Sequence, residues 1–235
     1  MPVTLTTHIA DVRRETPRAA LVRLDLGGAP FPYVAGQAVM AGLASGTDRA
    51  PYSLASPPQQ AARTGCLELL VKVDQKGRAG KHLGSLEPGS AIAVKGPFGT
   101  FTLASHADAR RLLLIAGGTG IAPLRAMLYD ALAWAAPPDI CLVYSARTPD
   151  DFAFVPELRQ LRDEGRITLK RTVTRGAGDD WKGCRRRIDT DLLSPLVSPA
   201  STVCLVCGPD SLVEDVPRWL LELGVPAGRI RREEY

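Results

Sequence analysis

The chain has 235 residues, of which 45% are hydrophobic and 23% are charged, and its formal net charge is +4. That length and apolar fraction suit one large domain or two small domains with proper cores. The longest apolar run, at residues 112–116, is too short to span a membrane, and the first residues lack the layout of a signal peptide. The mild charge and the 6% aromatic content argue against nucleic-acid binding. We therefore expect a cytoplasmic protein with no membrane span and no nucleic-acid partner.

The five cysteines are an odd number and are spread thinly, so a disulfide framework is not expected. Cys204 and Cys207 form a C-x-x-C spacing inside the apolar stretch TVCLVCG, with no second pair and no histidine nearby. Zinc and iron–sulfur sites need more ligands than this pair supplies. The sequence therefore predicts no metal centre.

Short β-like runs separated by turn residues fill the chain up to about residue 103. Examples are residues 19–26, 37–43, 66–73 and 91–96, and turn signals such as Pro57-Pro58 lie between them. Short strands at this spacing predict an antiparallel β-barrel or sandwich.

Strand and helix patterns alternate in the second part of the chain. Apolar strand runs occur at residues 112–116, 140–144, 167–174 and 203–207, with helical stretches between them. The first helical stretch repeats apolar residues with a period of 3.6, at Leu124, Met127, Leu128, Ala131 and Leu132. This alternation predicts a doubly wound parallel sheet. We expect a β domain at residues 1–104 and an α/β domain at residues 105–235, with the boundary near residues 104–111.

Two further helical stretches, at residues 156–165 and 211–224, each end at a glycine suited to a C-terminal cap. Pro217 lies within the second stretch. Because proline lacks an N–H group, it is expected to kink that helix or to delay its start.

The sequence LLLIAGGTGIAPLRAML places a glycine turn between a strand and a helix. Gly117, Gly118 and Gly120 let the backbone approach a bulky anion, and the helix start offers free N–H groups. Pro123 fits the first helical turn. A standard dinucleotide site also has an acid about 20 residues on, but the next strand ends in Tyr-Ser-Ala-Arg. The turn predicts a nucleotide site of another construction, or else only a tight strand-to-helix connection.

Several spaced motifs resemble the ferredoxin–NADP reductase family of flavoproteins and together cover nearly the whole chain. FPYVAGQAV (31–39) and APYSLAS (50–56) resemble its flavin-binding segments, and GPFG (96–99) resembles the loop where its domains meet. GGTGIAP (117–123) resembles the opening of its second domain. CGPDSLVED (207–215) and IRREEY (230–235) resemble its nicotinamide-side segment and its closing acid-plus-aromatic segment. The resemblance implies a flavin-binding β-barrel followed by an NAD(P)-binding domain.

The resemblance also implies roles at a reaction centre where hydride passes from the nicotinamide to the flavin. Tyr52 would lie against the flavin ring, and Ser53 would place its hydroxyl near N5. Cys207 would lie where nicotinamide C4 arrives and would shape the pocket. Glu233 would orient Ser53 or relay a proton, and Tyr235 would stack on the flavin and move for turnover. Taken alone, Tyr52 would more often be a core residue and Ser53 a turn residue, Cys207 could be a small buried strand residue, and Glu233 could be surface charge.

The resemblance implies a larger set of cofactor-binding residues from both domains. They are Arg49, Tyr52, Ser53, Leu54, Val71, Lys72, Gly80, Lys81, His82, Gly118, Thr119, Gly120, Pro123, Ser145, Arg147, Thr174, Arg175, Gly208, Pro209, Asp210 and Tyr235.

Two departures from the family pattern affect the flavin phosphate. The family usually has Arg-x-Tyr-Ser, whereas Arg49 stands one place earlier, so a β-bulge would be needed to bring it round. In GRAGKHL (77–83), Gly80 replaces a serine and offers only a backbone N–H, with Lys81 or His82 as compensation. FAD is the expected flavin, with FMN or weak flavin retention as the alternative.

The choice of pyridine nucleotide depends on two neighbouring segments. Thr174 and Arg175 resemble the pair that family members use on the 2′-phosphate of NADPH, which suits the charge and fork geometry of arginine. The following DDWKG (179–183) is more similar to NADH-using oxygenase reductases. NADPH is favoured, with NADH as the alternative.

The chain carries no cysteine cluster of ferredoxin spacing, so its electrons are expected to pass to a separate ferredoxin, flavodoxin or oxygenase component. Arginines 185–187 and 229, 231 and 232 could dock such an acidic carrier or could form an ordinary solvated face. Alternatives are a subunit of a larger complex and, from a different class, a non-catalytic nucleotide-binding scaffold. The presence of Ser53, Cys207, Glu233 and Tyr235 disfavours the scaffold.

Overall fold

The structure is a computed structural model that describes residues 2–74, 76–79, 82–84, 86–103, 109–176 and 178–234. The predictions made for Gly80, Lys81 and Tyr235, and part of the expected domain boundary, lie outside the described residues.

An antiparallel sheet forms the first part of the molecule. Its six described strands are β1 (Val3–Thr16), β2 (Ala19–Asp25), β3 (Ala38–Leu43), β4 (Ala50–Ser53), β5 (Cys66–Lys72) and β6 (Ala91–Phe98), in the order β4-β3-β6-β1-β2-β5. The two edge strands meet where Leu54 bridges Leu69, and the Ala55 N–H donates to the Glu68 carbonyl at 2.8 Å. The sheet is therefore a nearly closed barrel, which confirms the predicted antiparallel architecture.

Two elements of the barrel differ from the sequence expectation. The first strand, β1, is 14 residues long and pairs with both β2 and β6. A short helix, α1 (Pro58–Thr64), begins where the prolines indicated only a turn. Proline is compatible with the first position of a helix because the N–H there has no partner within the helix.

A parallel sheet with flanking helices forms the second part. Its described strands are β7 (Arg111–Gly117), β8 (Asp139–Ala146), β9 (Thr168–Val173), β10 (Thr202–Gly208) and β11 (Ile230–Glu234), in the order β11-β10-β7-β8-β9. The helices are α2 (Ile121–Leu132), α3 (Val155–Asp163), α4 (Thr190–Leu193) and α5 (Asp210–Glu222). The predicted doubly wound α/β domain is confirmed. No helix among the described residues combines the length and the apolar character needed to cross a bilayer.

The helices follow the predicted patterns, with one exception. Gly165 and Gly224 follow α3 and α5 with φ angles of +69° and +84°, as the predicted caps require. Of the two effects expected of Pro217, the delayed start is wrong, because α5 starts at Asp210 and continues through the proline, and the kink stays a prediction. Pro217 cannot donate to the Val213 carbonyl, but the Arg232 guanidinium donates to that carbonyl at 3.0 Å.

The segment at residues 230–234, which composition alone would assign to a solvated tail, is the edge strand β11. It pairs in parallel with β10, and Cys207 is the register partner of Glu233. Strand pairing therefore holds Glu233 beside the buried end of β10.

Candidate active site

Ser53 and Glu233 come together from the two sheets. Ser53 is the last residue of β4, and its hydroxyl donates to Glu233 Oε2 at 3.3 Å. Burial raises the pKa of Glu233 to about 7, and the hydrogen bond from Ser53 opposes that rise. The carboxyl group can therefore gain or lose a proton near neutral pH, as a proton relay requires.

Cys207 lies at the end of β10 and is almost fully buried. Burial raises the pKa of its thiol, and the charge of nearby Glu233 adds to that rise. Because the thiolate is the reactive form, a thiol held protonated is a poor nucleophile. The chemistry of this site is compatible with the pocket-shaping role expected for Cys207, which stays a prediction.

The glycine turn packs directly against the Cys207 segment. A single 3₁₀ turn, Gly118–Gly120, joins β7 to α2, and Gly118 has a φ of +54°. A Cβ atom at Gly120 would lie 2.3 Å from the Cys207 carbonyl oxygen, so only glycine fits there. The Tyr144 hydroxyl donates to the Gly118 carbonyl at 3.0 Å and fixes the turn. Pro123 lies in the first turn of α2, as expected.

A cleft of about 590 Å³ opens between the barrel and the α/β domain. Its size lies within the range of small-molecule sites, about 300–1,000 Å³. Eight of the predicted cofactor-binding residues line it: Lys72, Gly118, Thr119, Ser145, Arg147, Thr174, Arg175 and Pro209. The structure thus gathers residues predicted from distant motifs into one cleft.

The charge in the cleft is predominantly positive. The described lining contains five cationic side chains, Arg18, Lys72, Arg147, Arg175 and Arg187, against the two acids Asp151 and Asp215. Burial lowers the pKa of Lys72, and the charge of Arg147 lowers it further, whereas Asp210 raises it. This electrostatic balance suits an anionic ligand.

Several lining residues were missed by the sequence analysis. Arg187 was assigned only to a docking surface, and Arg18 was not singled out. Ser211, Leu212 and Asp215, which belong to the CGPDSLVED motif but were not singled out, and Trp219 also line the cleft from one face of α5. Their spacing of three to four residues is a helical signal that could have identified them.

The flavin-side residues lie on and near β4. Tyr52 is half-buried and packs against the barrel core, and burial raises the pKa of its hydroxyl. The pairing of β4 with β3 is regular from Ala50 to Ser53, so β4 contains no bulge that could bring Arg49 to the face of Tyr52. Arg49 itself is exposed. The contact of Arg49 with the flavin phosphate therefore stays a prediction, and β4 lacks the β-bulge that was expected to make this contact possible.

The other predicted residues occupy mixed environments. Leu54 and Val71 are buried in the barrel core, where only their backbone could meet a cofactor. The His82 carbonyl accepts a hydrogen bond from the Leu43 N–H at 2.8 Å, while His82 Nδ1 is buried without a partner among the described residues. Gly208 is buried and Asp210 is exposed at the start of α5.

Two family models match the chain: Oxidoreductase FAD-binding domain over residues 7–103 and Oxidoreductase NAD-binding domain over residues 114–218. A curated relative, ferredoxin–NADP reductase B of Sorangium cellulosum, is 34% identical over 221 residues, which cover 88% of this chain and 87% of that protein. The chain belongs to the ferredoxin–NADP reductase family. Members of this family are flavin-dependent pyridine nucleotide oxidoreductases, and this enzyme uses FAD and NAD(P) as cofactors.

Other relatives in the family carry different names and are longer than the region they share with this chain. The NADH-cytochrome b5 reductase-like protein alnC of Emericella nidulans is 34% identical over 154 residues, which cover 64% of this chain and 32% of that protein. Sulfhydrogenase 1 subunit gamma of Pyrococcus furiosus is 29% identical over 184 residues, which cover 76% of this chain and 60% of that protein.

Solved structures share the fold of this ferredoxin–NADP reductase family member at low identity. The cytochrome P450 reductase of Amycolatopsis has a TM-score of 0.85 and 24% identity, covering 99% of this chain and 70% of that chain. The ferredoxin NADP⁺ reductase of Neisseria gonorrhoeae with bound FAD and NADP has a TM-score of 0.78 and 21% identity, covering 98% of each chain.

Proposed function

We propose that this protein oxidises NADPH through bound FAD and passes the electrons to a separate carrier protein such as a ferredoxin or flavodoxin. The observation that carries the proposal is the meeting of Ser53, Glu233 and Cys207 beside the glycine turn of a cationic cleft. In this proposal residues 1–104 bind FAD and residues 105–235 bind the nucleotide. The cytoplasmic location stays a prediction.

Bound FAD would supply the hydride-accepting chemistry. The protein residues would bind and orient the cofactors and would hold or transfer protons. Tyr52 offers an aromatic face at the end of β4, and Ser53 offers a hydroxyl whose direction Glu233 controls. Cys207 keeps its thiol protonated and fills a small buried volume beside the turn. Glu233, with its pKa raised to about 7, can hold or release a proton at the Ser53 hydroxyl.

The preference for NADPH is supported by the carboxyl ends of β8 and β9. The N–H groups of Thr174 and Arg175 donate to the carbonyls of Ala146 and Arg147 at 3.0 and 2.8 Å, which holds both arginines at one end of the cleft. Two guanidinium groups at one place suit a 2′-phosphate that NADH lacks.

The segment similar to NADH-using reductases lies elsewhere. No described residue of the 179–183 segment lines the cleft. The Trp181 ring instead stacks on Phe152, with 5.5 Å between ring centroids and 8° between planes, and Arg171 lies over it. In this proposal the segment therefore has a packing role around β9, which leaves the preference for NADPH to Arg147 and Arg175.

A second candidate acceptor is an oxygenase component. The relatives include proteins named as ferredoxin–NADP reductase and as cytochrome b5 reductase-like protein, and the fold matches a cytochrome P450 reductase. The same hydride chemistry would serve each acceptor, so the acceptor must be identified by assay.

The proposal is tested by the absorbance of the FAD-loaded protein under anaerobic conditions. NADPH should bleach the flavin bands, NADH should do so less efficiently, and added ferredoxin or flavodoxin should restore the bands. A protein that takes up no FAD, or whose flavin neither nucleotide reduces, would refute the enzyme function.

A further inference from the structure

Arg125 is a buried cation on α2 that lies outside the cleft lining, two residues after the GGTGIAP motif, and no role has been given to it above. Its Nη1 donates to the Ala55 carbonyl at 2.7 Å and to Glu68 Oε2 at 2.9 Å, and both acceptors belong to the barrel. Its Nε and Nη2 donate to the two carboxylate oxygens of Glu157 on α3, the latter at 3.0 Å. The guanidinium carbon also lies 4.6 Å from the ring centroid of Phe154. One side chain therefore binds both domains.

The surroundings of Arg125 satisfy its charge and fix its geometry. Burial alone would lower the pKa of the guanidinium, but the hydrogen bond and charge of Glu157 and the charge of Glu68 raise it above its usual value. A planar guanidinium presents its N–H groups in a fixed fork. The Ala55 carbonyl and the Glu157 carboxylate are therefore held at a defined separation on opposite sides of one rigid group.

Ala55 lies two residues after Ser53, in the segment that continues β4. Its N–H donates to the Glu68 carbonyl at 2.8 Å, and the Leu54 N–H donates to the Gln37 carbonyl at 2.9 Å. These two bonds tie the segment to the barrel, whereas the bond from Arg125 to the Ala55 carbonyl ties it to α2. Helix α2 in turn starts at the glycine turn, directly after Gly120.

We propose that Arg125 is a positioning residue that sets the distance between the flavin-side segment at residues 52–55 and the nucleotide-side turn at residues 117–120. The inference rests on the proposed hydride transfer between these two segments. Hydride transfer depends steeply on geometry, and a displacement of about 1 Å can cost roughly a hundredfold in rate. Arg125 thereby controls the rate of the chemical step without contacting either cofactor.

Other contacts keep the domains attached when this link is weakened. Gln59 donates to Asp130 at 3.0 Å, and the Phe154 N–H donates to Glu15 at 3.1 Å, and both bonds cross between the barrel and the α/β domain. Loss of the Arg125 fork should therefore change the domain spacing more than it changes domain association.

The test compares Arg125→Lys, Glu68→Gln and Glu157→Gln in the FAD-loaded protein. Lysine keeps the buried charge but cannot reproduce the fork. Glu68→Gln weakens an arm that crosses between domains, whereas Glu157→Gln weakens an arm within the α/β domain. Arg162→Lys, at an exposed arginine on the same helix as Glu157, is the matched control. Each variant is measured for FAD content, NADPH dissociation constant and the stopped-flow rate of flavin reduction at saturating NADPH.

We expect Arg125→Lys and Glu68→Gln to slow flavin reduction by about tenfold or more, with FAD content and the dissociation constant within about twofold of wild type. The isotope effect with C4-deuterated NADPH should rise in these two variants. Glu157→Gln should lose less of the rate because the bonds from Arg125 to Ala55 and Glu68, which cross between the domains, remain, and Arg162→Lys should keep the wild-type rate. Unchanged rates in both Arg125→Lys and Glu68→Gln, or losses that simply follow FAD content, would overturn the inference.

The comparison remains decisive if Arg125→Lys fails to fold, because Glu68→Gln against Glu157→Gln separates the two arms. Failure of the wild-type protein to reduce its flavin would refute the proposed function itself. A normal wild-type rate with unaffected variants would refute only the role of Arg125.

Discussion

Ser53 and Glu233 are 180 positions apart in the sequence, yet their side chains are joined by a 3.3 Å hydrogen bond. The serine ends the barrel strand β4, and the glutamate lies in β11 opposite Cys207 in the strand register. The contact therefore joins the flavin-side segment to the nucleotide-side sheet. A carboxyl group with a pKa raised to about 7 at this point gives the site a group that can exchange protons at neutral pH.

Stability should respond to the titration of Glu233. Its pKa rises from the usual 4.5 to about 7 on folding, so the folded protein holds a proton between these pH values that the unfolded chain has lost. The contribution of Glu233 to stability should therefore fall as pH rises from 4.5 to 7 and stay unfavourable above that range. Glu233→Gln should remove this contribution, so its Tm relative to wild type should be higher at pH 8 than at pH 5.

The matched control is Glu234→Gln, which changes an exposed neighbour on the same strand. A Tm difference that does not vary with pH in the Glu233→Gln variant would show that the carboxyl group is not perturbed in the folded protein.

Nucleotide preference should depend on Arg175. Arg175→Ala removes one guanidinium from the end of the cleft where Arg147 also lies. Loss of a charge-assisted hydrogen bond to the 2′-phosphate should weaken NADPH binding roughly tenfold to a hundredfold and leave NADH binding nearly unchanged. Titration calorimetry with both nucleotides would measure this. Arg166→Ala, at an exposed arginine outside the cleft lining, is the control, and an equal loss of affinity for both nucleotides would contradict the assignment.

The stability of helix α5 should depend on Arg232, because Pro217 leaves the Val213 carbonyl without a donor within the helix. Arg232→Met removes the donor to the Val213 carbonyl and should destabilise the protein by about 1 kcal/mol. In a Pro217→Ala background the helix regains an N–H for that carbonyl, so the same substitution should cost less. Urea unfolding of the four proteins in this double-mutant cycle gives the coupling directly. Additive free energies of unfolding would show that the arginine does not compensate for the proline.

The glycine turn should tolerate no side chain at residue 120. Gly120→Ala would place a Cβ atom 2.3 Å from the Cys207 carbonyl oxygen, so the turn and the end of β10 must separate. We expect a loss of about 1–3 kcal/mol in stability together with weaker nucleotide binding. Gly228→Ala, where a Cβ would meet nothing within 4 Å, is the control. A Gly120→Ala protein with normal stability and affinity would contradict the close approach.

The two domain folds could be predicted from the sequence because their patterns are local. Alternating strand and helix periodicity identified β7, β8, β9 and β10, and short apolar runs between turns identified much of the barrel. Composition could not predict strand β11, because this strand is held by backbone pairing to β10 and buries few apolar side chains. The spaced motifs, rather than composition, indicated that Glu233 belongs to the site.

What could not be predicted depends on contacts between distant residues. Arg125 lies on a helix whose polar positions would ordinarily face solvent. Its burial is made favourable by Glu68 and Glu157, 57 and 32 positions away, and by the Ala55 carbonyl. Pro217 is tolerated inside a helix because Arg232 reaches the carbonyl that it leaves unpaired. None of these partners can be identified from local periodicity.

The most direct test of the account is the anaerobic stopped-flow rate of flavin reduction at saturating NADPH in Ser53→Ala. Removing the hydroxyl that Glu233 holds should slow this step by roughly tenfold to a hundredfold while FAD content is retained. Ser90→Ala, in the turn before β6, should keep the wild-type rate. A Ser53→Ala protein that binds FAD and is reduced at the wild-type rate would contradict the claim that hydride transfer takes place at the Ser53–Glu233 contact.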